Sequence, residues 1–158
     1  MKIRVICVGK LKEKFFKSAC EEYLKRLSAY AKVEIIELKD EKVPESYSEE
    51  EIRRVKEREG QKILEKAGTY PSIALDPNGQ EMISEKFADT LEQMMLSGDS
   101  TINFMIGGSN GLSEAVLQQS RMVLSFSQMT FPHQLFRVML LEQIYRAFKI
   151  IRNETYHK

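Results

Sequence analysis

The sequence predicts an α/β domain with a mostly parallel sheet and helices on both faces. Short runs rich in valine and isoleucine alternate along the whole chain with longer segments of helical periodicity. The runs are apolar at most positions, which is typical of strands buried on both faces. The chain has 158 residues and shows no internal repeat, linker or low-complexity stretch. A single domain spanning residues 1–158 is therefore expected.

The first half of the chain predicts two strands and two helices. Strands are expected at residues 3–8 and 33–38, which are apolar and rich in β-branched side chains. Between them, apolar side chains recur every four residues, which predicts an amphipathic helix along Leu11, Phe15, Ala19, Tyr23 and Leu27. A loop follows at 40–47. Ser48, with a glutamate three residues later, is a capping box that begins the second helix, and Gly68 is placed to end it.

The second half repeats the alternation with shorter elements. A strand at 72–75 is expected to end at the turn sequence Asp76-Pro77-Asn78-Gly79. Ser84 is then expected to cap a helix that closes at Gly98. The remaining predicted elements are a buried strand at 101–106, a short helix from about Ser113, a short strand at 122–125 and a final helix from about Pro132 to Ile151.

The final helix has almost no polar face. Its apolar side chains are Leu135, Phe136, Val138, Met139, Leu140, Leu141, Ile144, Tyr145, Ala147, Phe148 and Ile150. A helix that is apolar on all sides must be buried on all sides. We expect one side to pack on the sheet and the other on a second copy of the chain, which predicts a homodimer. The alternative is complete burial within one chain.

Composition narrows the class of protein. Hydrophobic residues make up 42% and charged residues 30% of the chain, which excludes a disordered protein. No apolar run approaches the roughly 18 residues of a membrane helix, and the first residues do not form a signal peptide. Cys7 and Cys20 are too few for a disulfide scaffold, and no metal site is predicted. We expect a cytoplasmic protein with reduced, buried thiols and no membrane partner.

The net charge of +1 conceals an uneven distribution. Residues 1–32 hold nine Lys/Arg against three Glu, and residues 121–158 hold six against two, whereas residues 33–120 hold nine Lys/Arg against eighteen Asp/Glu. If the fold brings the two chain ends together, they form a basic face that favours a polyanion such as RNA. The alternative is a set of solvated helix faces with no partner.

A glycine-rich turn, Ile106-Gly107-Gly108-Ser109-Asn110-Gly111, joins a buried strand to a helix. In open α/β sheets, ligands bind at the carboxyl ends of strands, and glycines there let a ligand approach the backbone. The turn lacks the glycine spacing of the dinucleotide fingerprint, and the phosphate loop of nucleotide hydrolases is absent. Nicotinamide dehydrogenases and the usual ATPases and GTPases are therefore not favoured. A tight turn without a ligand is the alternative.

A second loop, from Phe126 to Phe131, joins a short strand to the final helix. Its apolar side chains and interspersed hydroxyls suit an amphipathic ligand such as an adenine ring. Pro132 suits the first helical turn, and His133 would lie at the helix N-terminus, where the helix dipole lowers the pKa of an imidazole. A purely structural histidine is the alternative. Two such loops, each following a strand, predict one ligand site more strongly than either alone.

The chain ends in Tyr156-His157-Lys158. An aromatic ring beside basic groups is what base stacking and phosphate contact require. The alternative is a frayed end, because chain termini are commonly disordered. No predicted core residue lies in this tail, so its removal is expected to change stability little.

Together, these segments resemble a known family. The two loops, the tail, Arg137-Val138, the run 141–147 and the start of the chain are similar to the bacterial ribosomal RNA large subunit methyltransferase H family. Members of that family are knotted methyltransferases of the SPOUT type. The resemblance extends over essentially the whole chain at matching length, and the combination of motifs is more specific than the glycine turn alone.

The resemblance implies a SPOUT fold with a C-terminal trefoil knot, and a homodimer. It also implies that S-adenosylmethionine is used to methylate N3 of a pseudouridine in 23S rRNA of assembled ribosomes. The implied cofactor contacts are Leu75, Gly107, Phe126, Ser127, Gln128, Met129, Thr130 and Phe131, with Gln128 contributing backbone. Gly107→Val is accordingly expected to abolish cofactor binding and to leave the fold intact.

The catalytic candidates are His133, Arg137, Tyr156 and His157. N3 of pseudouridine must lose a proton to become a good nucleophile, and a base near the operating pH helps; the chain has two histidines. The tail is favoured for positioning the base, and Arg137 for a phosphate or a developing oxyanion. Two alternatives stay open: a SPOUT enzyme with another RNA target, and a catalytically silent RNA-binding dimer.

Overall fold

The five strands form one parallel sheet in the order β2-β1-β4-β3-β5, in a computed structural model that describes residues 1–158. The predicted alternation is confirmed. The elements are β1 (Lys2–Val8), α1 (Lys14–Leu27), β2 (Lys32–Leu38), α2 (Glu49–Ala67), β3 (Ser72–Glu81), α3 (Ser84–Leu96), β4 (Thr101–Ile106), α4 (Glu114–Gln119), β5 (Met122–Ser125) and α5 (His133–Ile151).

Both faces of the sheet are buried, and the side chains of each strand alternate between them. In β1, Ile3, Val5 and Cys7 belong to the larger core, which α1, α3 and α5 cover. Ile6 and Val8 belong to the smaller core, which α2 and α4 cover on the opposite face. This is why apolar residues follow one another in β1 and β4 and do not simply alternate with polar ones. Cys7 and Cys20 are both free and buried, as expected.

The predicted end of the third strand is wrong. Residues 76–79 form an irregularity, after which β3 pairs again with the same neighbour: Leu75 and Gln80 both lie opposite Leu124. The Asn78 N–H donates to Asp76 Oδ1 at 2.9 Å, so the turn sequence does fold back locally. Pro77, which has no N–H to offer a ladder, lies in this irregular part. The local sequence indicates the turn, whereas only the neighbouring strand shows that pairing resumes.

The predicted helix ends are mostly confirmed. Ser48 caps α2 by accepting from the Glu51 N–H at 3.2 Å, and Gly68 ends that helix with φ of 62°. Ser84 does not cap α3, because its hydroxyl donates to Gln143 Oε1 on α5 at 2.7 Å. Ile83 takes the cap position instead, without a side-chain hydrogen bond.

Helix α5 packs against both α1 and α3. No residue of it is exposed; seven are buried and the other twelve are half-buried. The expected packing against the rest of the chain is confirmed, while a single chain covers only part of the outer side. No helix in the chain is both long and apolar enough to cross a membrane.

Candidate active site

The irregular part of β3 (residues 76–79) and the loops that follow β4 and β5 lie at one edge of the sheet, because parallel strands run in the same direction. They line a cavity of about 720 Å³. Its walls contain all but one of the predicted cofactor residues; those present are Leu75, Gly107, Phe126, Ser127, Met129, Thr130 and Phe131. Gln128 lies in the same loop but does not line the cavity. The glycine-rich turn and the loop from Phe126 to Phe131 therefore line one site, as the sequence predicts.

The glycine turn is held by its own backbone. The Gly111 N–H donates to the Gly108 carbonyl at 3.0 Å, and Gly111 has φ of 85°. A Cβ at Gly107 would lie 2.6 Å from the Gly111 carbonyl carbon. Gly107 is therefore required by the close approach of two backbone segments, and the expectation that Gly107→Val leaves the fold intact is wrong.

Hydrogen bonds from two serines shape the loop after β5. Ser125 donates its hydroxyl to the Ser127 carbonyl at 3.0 Å, and the Met129 N–H donates to the Ser127 hydroxyl at 3.0 Å. Phe126 packs on Phe136 of α5 with the ring centroids 4.8 Å apart. Met129 is 72% exposed. The loop thus presents one anchored aromatic ring and one free thioether beside the cavity.

His133 begins α5 and lines the cavity. Burial lowers the pKa of this imidazole, and the positive charge of Arg137 lowers it further. The ring lies over Gly9 at the end of β1: a Cβ on Gly9 would be 3.4 Å from His133 Nε2. Burial and Arg137 thus favour the neutral form of the ring, which is the form that can accept a proton.

Arg137 lies one turn further along α5 and is only 3% exposed. Its Nη1 pairs with Glu37 Oε2 at 2.7 Å, and its Nη2 donates to the Gly9 carbonyl at 3.2 Å. Arg137 does not line the cavity. The structure does not favour the expected contact with a phosphate or an oxyanion, because the guanidinium would first have to leave these partners.

The tail is docked, so the alternative of a frayed end is wrong. The Tyr156 hydroxyl donates to Glu142 Oε1 at 3.1 Å, and its ring packs edge-on against Tyr145 with the centroids 4.9 Å apart. Burial, followed by the hydrogen bond to Glu142, raises the pKa of Tyr156 to about 12. Arg146 lies 4.8 Å from the centre of the Tyr156 ring. Neither Tyr156 nor His157 lines the cavity of the same chain.

Both ring nitrogens of His157 have partners. Nδ1 lies 3.1 Å from Arg146 Nη1, and Nε2 lies 2.7 Å from Glu85 Oε1 on α3. Because arginine is always a donor and a carboxylate always an acceptor, these contacts require Nδ1 to accept from Arg146 and Nε2 to donate to Glu85. In this arrangement His157 is not free to act as a base.

Sequence reasoning missed several residues of this region. The cavity is also lined by polar groups that the sequence placed only in turns or on a helix, namely Lys56, Asp76, Asn78, Ser109 and Asn110. Glu37, Glu85, Glu142 and Arg146 hold the predicted catalytic candidates in place. Two local features mark four of these cavity residues: the turn sequence after residue 75 contains Asp76 and Asn78, and the glycine-rich turn contains Ser109 and Asn110.

A family model described as predicted SPOUT methyltransferase matches residues 1–157. The chain belongs to the SPOUT methyltransferase family. Its resemblance in sequence to this family is thereby confirmed, and methyl transfer from S-adenosylmethionine is the chemistry of such enzymes.

Curated relatives of this SPOUT protein carry more specific names. Ribosomal RNA large subunit methyltransferase H 1 of Clostridium perfringens strain SM101 is 57% identical over 159 residues, with both chains covered completely. Ribosomal RNA large subunit methyltransferase H of C. perfringens strain ATCC 13124 is equally similar over the same span.

Solved structures share the fold at much lower identity. A probable methylase family protein from Haemophilus influenzae is 12% identical with a TM-score of 0.59; the match covers 99% of this chain and 70% of that one. A probable methyltransferase from Bordetella pertussis is 11% identical with a TM-score of 0.57, over 92% and 95%. The SPOUT fold class is confirmed, whereas the trefoil knot stays a prediction.

Proposed function

We propose that this protein transfers the methyl group of S-adenosylmethionine to N3 of a pseudouridine in 23S rRNA, acting as a homodimer on assembled ribosomes in the cytoplasm. Methylation of large-subunit rRNA is the activity named for relatives at 57% identity over their full length. The names of these relatives specify neither the nucleotide, nor the assembled ribosome, nor a dimer, so these three parts go beyond them.

The observation that carries the proposal is the convergence of two loops on one cavity. Its volume of about 720 Å³ lies within the roughly 300–1,000 Å³ of small-molecule and cofactor sites. Leu75, Ile106 and Phe131 supply apolar walls for an adenine ring, while Asp76, Asn78 and Ser109 supply polar groups. Such a mixed lining fits S-adenosylmethionine, which combines an apolar ring system with polar and charged groups.

The chemistry needs alignment and removal of one proton. S-adenosylmethionine supplies an electrophilic methyl group bound to a sulfonium. The cavity holds the reacting groups in line, which is mainly catalysis by proximity. We assign His133 as the acceptor of the N3 proton, because its imidazole lines the cavity and its lowered pKa favours the neutral form. Arg137 then acts as a positioning residue that ties the start of α5 to Glu37 and Gly9.

A dimer would explain how the tail reaches an active site, although Tyr156 and His157 do not line the cavity of their own chain. A second, apolar groove of about 450 Å³ lies beside α5, lined by Val138, Met139 and Glu142 among others. Phe126 lines both this groove and the cavity, and Glu142 also binds Tyr156. A second copy seated in the groove would therefore lie next to the cofactor loop. Each copy would bring its own Tyr156 and His157 toward the partner's cavity.

The direct test is incubation of the purified protein with labelled S-adenosylmethionine and ribosomes from a strain that lacks this activity. We expect one methyl group per 23S rRNA, mapped to N3 of a single pseudouridine. Label at another nucleotide would show that the proposed target is wrong, although the protein would still be an rRNA methyltransferase. Binding of S-adenosylmethionine without transfer to ribosomes, free rRNA or tRNA would contradict the proposal.

A further inference from the structure

A dense group of free lysines lies between β1 and the first turns of α1. Lys10, Lys12, Lys14 and Lys17 are all exposed, and none of them forms an ion pair. Glu13 is the only acidic residue among them. By contrast, the arginines of the acidic helix α2 are paired with nearby glutamates. The four lysines therefore form a local excess of positive charge, here called the lysine patch.

The lysine patch lies at the rim of the cavity. The Lys12 N–H donates to Gln134 Oε1 at 2.8 Å, which ties this loop to the first turn of α5. The adjacent His133 lines the cavity and packs on Gly9, which directly precedes Lys10. The charge of Lys12 also contributes to lowering the pKa of His133. The patch thus begins next to His133, which forms part of the cavity wall.

An exposed aromatic ring lies within the patch. Phe15 is 64% exposed, and its ring centroid is 4.4 Å from that of Phe16. This apolar ring, with lysines on both sides of it in the sequence, contributes little to folding because it buries little surface. Proteins bind single-stranded nucleic acid with this combination of lysines and an exposed aromatic ring. The lysines contact the backbone phosphates, and the ring stacks on an unpaired base.

We propose that the lysine patch and Phe15 are the surface on which the enzyme binds the RNA flanking its target nucleotide. The inference rests on the proposed rRNA methyltransferase function and names the substrate-binding surface of that site. The positive charge is complementary to the phosphate backbone. Its position at the cavity rim places flanking phosphates beside the lysines when the target nucleotide enters the cavity.

The experiment compares two triple variants with the same loss of charge. One is Lys10→Ala, Lys12→Ala and Lys14→Ala within the patch. The matched control is Lys25→Ala, Lys32→Ala and Lys66→Ala, which are exposed, unpaired and near the opposite edge of the sheet, where the strands begin. Methyl transfer to ribosomes from the deficient strain is measured against ribosome and salt concentration. For each variant, the affinity for S-adenosylmethionine and the urea unfolding midpoint are measured to confirm that the protein is folded.

We expect the patch variant to raise KM for ribosomes at least about tenfold with little change in kcat, because phosphate contacts position the substrate. A plot of log kcat/KM against log salt concentration should have a slope that is smaller in magnitude by about two, because three phosphate contacts are lost. Phe15→Ala should lower kcat/KM by about tenfold and leave the salt dependence unchanged. The control variant should behave as the wild type.

Equal KM and equal salt dependence in the patch and control variants would overturn this inference while leaving the methyltransferase proposal intact. A wild type that transfers no methyl group to ribosomes would instead contradict the proposed function. In that case, gel shifts of the two variants on 23S rRNA decide the inference directly. Equal binding by both variants would count against the patch, and weaker binding by the patch variant alone would support it.

Discussion

At the scale of single residues, the environment of His133 gives it a testable pH dependence. Burial and Arg137 lower its pKa in the folded protein below the ordinary value of about 6.5. Between the lowered pKa and about 6.5 the unfolded chain binds more protons, so stability contributed by this group is complete above about 6.5 and falls as pH falls through that window. In His133→Asn, urea unfolding from pH 7 to pH 5 should therefore lose less stability than in the wild type. An identical pH dependence in both proteins would contradict the burial of this ring.

Arg137 and Glu37 form a partly buried ion pair whose loss can be measured. Arg137→Met leaves the Glu37 carboxylate and the Gly9 carbonyl without their donor. Because Glu37 is 35% exposed and water can replace its donor, we expect a loss of about 1–3 kcal/mol, the cost of leaving a buried acceptor unsatisfied. Affinity for S-adenosylmethionine should fall as well, since the pair holds the turn that carries His133. Arg137→Lys, which keeps the charge, should recover part of both losses in the same urea and calorimetry measurements.

At the scale of elements, the glycine turn requires the absence of a side chain. A Cβ at Gly107 would lie 2.6 Å from the Gly111 carbonyl carbon and 2.9 Å from the Leu112 nitrogen. Gly107→Ala should lower the free energy of unfolding by about 1–3 kcal/mol through overpacking and weaken cofactor binding. Ser109→Ala in the same turn is the control, because Ser109 is exposed and should leave stability unchanged. Equal stability of the two variants would show that the turn can widen freely.

The tail is the other element whose role the structure changes. Deletion of residues 156–158 removes the Tyr156 ring from Tyr145 and Arg146, and the hydroxyl from Glu142. We expect a loss of about 2 kcal/mol in unfolding free energy, since an aromatic pair and a hydrogen bond to a charged group each contribute about 1 kcal/mol or more. Methylation of ribosomes should fall at least about tenfold with cofactor affinity unchanged. Deletion of the exposed Lys158 alone is the control for stability.

At the scale of the whole molecule, the sequence predicted what depends on local periodicity. Every strand and helix could be anticipated, because apolar runs and helical stripes are properties of neighbouring residues. The second half of β3 could not be predicted, since its pairing depends on β5, which lies more than forty residues away. The Ser84 contact with α5 and the Arg137 contact with Glu37 join residues 59 and 100 positions apart. The site shows the same division. The sequence predicts its loops, because they lie where strands end, but the hydrogen-bond and ion-pair partners of its charged side chains are known only from the folded chain.

Assembly of the whole molecule can be tested on helix α5. Leu140 and Ile144 are fully buried in the core of their own chain, so a charge at either position would unfold the chain and would not test a dimer. Met139 is half-buried and lines the groove beside α5, which makes Met139→Glu the better test. Its charge would be desolvated only when a second copy covers the groove.

We expect the wild type to sediment as a dimer at micromolar concentration. Met139→Glu should sediment as a folded monomer that has lost methyl transfer, because each cavity then lacks the partner's tail. Leu96→Glu is the control, since Leu96 is 74% exposed on α3 and also changes an apolar residue to a charge. This variant should stay dimeric and active. A monomeric wild type would contradict the dimer, and an active monomeric Met139→Glu would show that one chain forms the complete site.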